Sequence, residues 1–100
     1  MEIVESEKYD DFAAEFQFEM IKILNETLKK HNIPTELRKE ICGDFTFDFS
    51  MLIDQGRIAD AVPIVTFYQD EILYMRNETF EFHDYAFGNT DEVFDNDTEE

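Results

Sequence analysis

Phe45-Thr46-Phe47-Asp48-Phe49-Ser50-Met51-Leu52-Ile53-Asp54 is the stretch on which the fold turns. Phe45, Phe47, Phe49, Met51 and Ile53 alternate with Thr46, Asp48, Ser50 and Asp54, broken only by Leu52. A period of two marks a half-buried strand. A rival pattern runs through the same letters, because Leu37, Ile41, Phe45 and Phe49 keep the four-residue step of a continued helix. Gly43 just upstream and the β-prone aromatic side chains favour the strand.

Upstream, residues 6–31 read as one long amphipathic helix, with Tyr9, Phe12, Ala13, Phe16, Met20, Ile23, Leu24 and Leu28 at three- and four-residue steps. Ser6 is placed to cap it, Glu7, Asp10 and Asp11 lie near its positive end, and Lys29, Lys30 and His31 near its negative end. Asn32 closes it, Pro34 breaks the chain, and a short second helix is expected over residues 36–42, with Gly43 as its stop. Downstream, Gln55-Gly56 makes a turn and residues 62–68 a second strand, with Pro63 at its start or on an edge. Asp70-Glu71 turns the chain into a third strand over residues 72–76, and residues 79–83 are a candidate fourth. Residues 79–87 are compatible with strand or helix. Short connections make an antiparallel meander the expected sheet. Thr90 is placed to cap a last helical turn through Phe94, and Asp95 to Glu100, without an apolar residue, is expected to be a disordered acidic tail. The fold class is therefore α+β: a long and a short helix on a three- to four-stranded antiparallel sheet, in one domain spanning residues 1–94.

Charge narrows the function classes. Twenty-five acids against eight bases give a net charge of -17 over 100 residues, whereas solubility asks for a magnitude of only about 2 to 8. Self-repulsion on that scale works against the compact state. It also excludes nucleic acid and anionic membranes as direct partners. Residues 70–100 hold eleven acids and one base, and no Lys or Arg follows Arg76. The lone Cys42 cannot form an internal disulfide, no apolar run approaches the length of a bilayer span, and the N-terminal residues do not resemble a secretory signal. Cytoplasmic residence is the resulting expectation.

Catalytic and cofactor chemistry finds little anchor. One Cys and two well-separated His cannot supply a structural zinc set. Asp95, Asp97 and Glu99 echo the start of a calcium loop, but its central glycine and closing Glu are missing. Cys42 reads as a small buried hydrophobe, and Gly43, Gly56 and Gly88 are too isolated to cradle phosphate. His31 complements the helix dipole. His83, between Glu81 and Asp84, is the best titrating candidate, because the acids would raise its pKa, although a solvent-facing strand histidine is the simpler role. No catalytic residue, metal or cofactor is expected, and an enzyme is not.

What remains is an acidic surface interleaved with aromatic rings toward the C-terminus. Carboxylates beside Tyr and Phe suit Lys and Arg through charge-assisted hydrogen bonds and cation–π contacts. Glu71, Glu78, Glu81, Asp84, Tyr85, Asp91 and Glu92 are the expected partner-binding residues. In size, acidity and compact mixed architecture the chain resembles the bacterial immunity proteins, which implies neutralisation of a basic toxin such as a nuclease. It also resembles the DNA-mimic inhibitors of the anti-restriction and anti-CRISPR kind, which implies competition with DNA for a nucleic-acid-binding protein. Both resemblances rest on the whole-chain profile and carry no residue roles over. The near-neutral middle of the chain favours the first, since a mimic needs two continuous rows of carboxylates.

Overall fold

Residues 1–97 are described by the structure, a computed structural model. The described elements run β1 (Glu2–Glu5), α1 (Lys8–Lys30), α2 (Thr35–Gln55), β2 (Phe67–Gln69), β3 (Ile72–Met75), a 3-10 turn (Phe82–Tyr85) and α3 (Ala86–Asp95). The α+β class holds.

Helix α1 starts and stops as its sequence indicates. The Ser6 hydroxyl accepts a hydrogen bond from the Lys8 amide at 3.0 Å. At the other end Asn32 takes a left-handed φ of 62°, and the Asn32 and Ile33 amides close onto the Lys29 and Leu28 carbonyls, satisfying acceptors that a helix terminus otherwise leaves open.

The decisive stretch is helical. Thr35–Gln55 forms one helix of 21 residues, so the expected short helix and first strand are a single element, and Gly43 lies in its interior. The reason is steric. The buried stripe of α2 is Arg38, Cys42, Gly43, Thr46, Ser50 and Ile53, mostly small residues that let neighbouring helices approach. A Cβ at Gly43 would stand 3.0 Å from the Phe87 ring on α3, so this glycine serves a close helix crossing and does not end the helix. The stripe of α1 facing inward is Tyr9, Ala13, Gln17, Ile21 and Asn25. Its polar members join the helices: Gln17 Nε2 donates to Ser50 Oγ at 3.0 Å and to the Phe82 carbonyl at 3.1 Å, while Asn89 Nδ2 donates to Gln17 Oε1 at 2.8 Å. Arg38 donates to Asn25 Oδ1 and to the Ile33 carbonyl, both at 2.8 Å. Thr46 is the exception, a buried hydroxyl without a hydrogen-bond partner.

The sheet is mixed, not an antiparallel meander. Its order is β1-β3-β2. β1 runs parallel to β3 with Ile3 opposite Leu73, and β2 runs antiparallel to β3 with Tyr68 opposite Leu73. The unforeseen strand is β1, too short and too charged to announce itself. The expected strand over 62–68 is replaced by the shorter β2, because only Phe67, Tyr68 and Gln69 pair with β3. No fourth strand forms at 79–83. Asp54 instead accepts hydrogen bonds from the Phe82 and His83 amides, both at 2.9 Å, and bends them into the 3-10 turn. Thr90 lies inside α3, its hydroxyl donating to the Ala86 carbonyl at 2.7 Å.

Two apolar clusters flank the polar centre. Tyr9, Ala13, Ile53, Tyr74, Phe80 and Phe82 join the sheet to the start of α1 and the end of α2, whereas Ile21, Cys42 and Val93 bind the three helices together. The expected tail begins within this framework. Asp95 ends α3, and Asp97 accepts hydrogen bonds from Lys29 Nζ and Asn25 Nδ2, both at 3.0 Å. Residues 98–100 of that expected tail lie outside the described residues. Among the described residues no helix is long and apolar enough to cross a membrane.

Candidate partner-binding surface

The 3-10 turn gathers the chemistry of the C-terminal third. Asp54, its side chain wholly buried, lies 2.7 Å from His83 Nδ1 and 3.8 Å from the Arg76 guanidinium. Glu81 stands 3.9 Å from the same His83 nitrogen, and Asp84 is 3.5 Å from Nε2. The hydrogen bond to Asp54 raises the His83 pKa above its ordinary value; burial opposes it, and the charges of Asp54, Glu81 and Asp84 add to the rise. His83 is therefore a largely buried tie in a carboxylate cage rather than a strand histidine facing solvent. One carboxylate oxygen from each of Asp54 and Glu81 and a nitrogen of His83 lie within 4.8 Å of one another. The His83 nitrogen and the Asp54 carboxylate already bond each other, so the geometry there is that of an ion pair.

Beside this cage an acidic seam forms where α1 meets the 3-10 turn and α3. Tyr85 stacks on Phe80 with ring centroids 5.6 Å apart. Burial raises its hydroxyl pKa first, followed by the charges of Asp10, Asp84 and Asp11. Asp10 is itself raised, by burial first and then by Glu7 and Asp11, and its Oδ1 is buried without a hydrogen-bond partner. Glu92 shares a shallow groove with Asp11, Glu15 and Asn89.

Of the residues expected to form one patch, the structure brings Glu81, Asp84 and Tyr85 together and joins Glu92 to the same side through α1. Asp91 is bound to Lys39 at 3.3 Å. Glu71 sits in the β2–β3 turn, and Glu78 in the turn that leads Asn77 to Phe80. Asp10, Asp11, Glu15 and Asp54 were missed. Asp10 and Asp11 were legible only as helix-dipole residues and Glu15 not at all, and their meeting with the C-terminal acids is a tertiary fact.

A second surface was hidden by the strand reading. With its small polar residues turned inward, α2 leaves Leu37 43%, Phe45 47%, Phe49 37% and Leu52 39% exposed. Phe45 and Phe49 stack on each other at 5.7 Å. The signal was the four-residue step that competed with the period of two. Comparison with known proteins finds no protein family, no curated protein and no solved structure that matches this chain, so its surfaces carry the functional reading.

Proposed function

We propose that this protein is an acidic, non-catalytic binding domain that captures and neutralises a basic protein in the cytoplasm, in the manner of an immunity protein holding its toxin. The observation that supports the reading is the seam at Asp10, Asp11, Asp84 and Tyr85, where one carboxylate oxygen is buried without a partner. Crowded like charges cost the free protein, and an incoming Arg or Lys relieves them. Five of the chain's eight Lys and Arg are spent elsewhere: Lys22, Lys29, Arg38, Lys39 and Arg76 each lie within 4.0 Å of a carboxylate. Electrostatic capture of this kind gives fast, salt-sensitive association.

The test is affinity capture from the source cell, followed by binding kinetics with the captured protein. A partner of net positive charge is expected, with an association rate that falls steeply between low and high salt. Asp11→Lys with Asp84→Lys should slow association by about tenfold or more, as steering residues do. Salt-independent association, or an unchanged rate in the double variant, overturns the reading. Displacement of DNA from the captured protein would instead favour mimicry.

A further inference from the structure

Helix α3 fills one side of the α1–α2 hairpin. Asn89 reaches Ala14 and Gln17 of α1, Phe87 covers Gly43, and Asp91 pairs with Lys39 of α2. Among the described residues no helix covers the opposite side. There helical spacing aligns Leu37, Ile41, Phe45, Phe49 and Leu52 along α2, with Ile23 of α1, 68% exposed, on the same side of the hairpin. The sixteen residues from Leu37 to Leu52 make this stripe roughly 22 Å long, or about four turns.

An apolar stripe facing out while Arg38, Thr46 and Ser50 face in reverses the usual pattern of a surface helix. The molecule is correspondingly spread. Its radius of gyration is 15.0 Å against about 13 Å for a compact chain of this length. Its surface of 6681 Å² exceeds the roughly 6000 Å² expected for its mass.

We propose that the outer face of α2 docks an amphipathic helix of the partner, about four turns long, with an apolar ridge flanked by Lys and Arg. This rests on the reading that the partner is basic. Charge selects that occupant over a second copy of this chain. Asp44 and Asp48 flank the stripe near its middle, so two copies related by a two-fold axis there would set these carboxylates against their own duplicates, in chains of net charge -17 each. A helix with basic flanks meets the same rim with opposite charge, in the helix-in-groove mode.

The test uses the full chain and a labelled peptide of about four helical turns, built from Leu and Lys so that all Leu fall on one face. A peptide of the same composition with Leu scattered is the control. Fluorescence anisotropy at about 0.15 M salt should show the amphipathic peptide binding at least about tenfold tighter than the control. Phe45→Ser with Phe49→Ser should abolish that preference, whereas Asp11→Lys with Asp84→Lys should keep it. Should the Phe double variant fail to fold, Leu37→Gln with Leu52→Gln replaces it. Equal binding of the two peptides, or a preference that survives the face variants, overturns the proposal. So does a wild-type dimer in sedimentation velocity that the Phe double variant dissociates, which would make the occupant a second copy. Loss of the peptide preference with intact salt-sensitive capture removes this docking face and leaves the capture reading standing. A preserved preference with no basic protein captured does the reverse.

Discussion

Asp54 ties α2 to the 3-10 turn and to the residue that follows β3. Its buried carboxylate accepts the Phe82 and His83 amides and the His83 ring, with Arg76 nearby. Truncation leaves two amides without an acceptor and removes the imidazole's nearest carboxylate, so Asp54→Ala should cost about 3 kcal/mol or more. Asp54→Asn, which keeps one acceptor oxygen, should cost less, and urea unfolding of the two variants checks the order. His83 gives the cage a pH dependence. Its folded pKa is raised, so its stabilising contribution is complete below the unfolded value of about 6.5 and is lost as pH rises through the folded value. The stability gap between wild type and His83→Gln should therefore shrink from pH 6 toward alkaline pH. A gap that widens would mean the imidazole is held neutral. Thr46 predicts the opposite kind of change. Its buried hydroxyl lacks a partner, and Thr46→Val keeps the shape while removing the unsatisfied group, so it should stabilise by about 1 kcal/mol.

Among the elements, α2 shows where sequence patterning reaches its limit. Alternation and a four-residue step coexist in residues 45–54, because Phe45 and Phe49 satisfy both. The choice fell to Gly43 and aromatic propensity, and both misled. Gly43 is set by the Phe87 ring of a helix 43 residues downstream, a contact no local pattern encodes. Helix α1 was legible because its caps, charges and breaker are all local. The β2–β3 hairpin was legible at its turn for the same reason, yet its parallel neighbour β1 was not, since Glu2-Ile3-Val4-Glu5 acquires strand character only from β3. The acidic site was half visible: Glu81, Asp84, Tyr85 and Glu92 lie in the acid-rich C-terminal third, whereas Asp10 and Asp11 join them only through folding. The hairpin turn carries a prediction of its own. Asp70 and Glu71 both hold positive φ, 53° and 65°, the geometry of a two-residue type I′ turn that Asn-Gly fits best. Asp70→Asn with Glu71→Gly should raise the melting temperature, and a fall would mean that the Glu71 side chain contributes more than its backbone costs.

For the whole molecule the governing quantity is uncompensated negative charge, and it acts on stability and on binding with opposite signs. In the free protein the carboxylates that lack internal partners repel one another, and that repulsion is relieved by screening once the Debye length falls below their separations. Raising monovalent salt from about 10 mM to 0.5 M shortens that length from about 30 Å to a few Å. The molecule extends 45 × 31 × 21 Å, so screening over that range removes repulsion across nearly its full breadth. The melting temperature should therefore climb with salt. The short ion pairs oppose this only weakly, because the Asp97 contacts are largely buried and exposed pairs such as Lys22–Glu19 contribute little at any salt. Association with a basic partner should slow over the same range, since the field that destabilises the free chain is the one that steers the encounter. Parallel melting and kinetic measurements across one salt series test this coupling. A melting temperature that falls with salt would show that the structure's attractive pairs outweigh its repulsion, and the surplus charge could then no longer be read as a cost held in reserve for a partner.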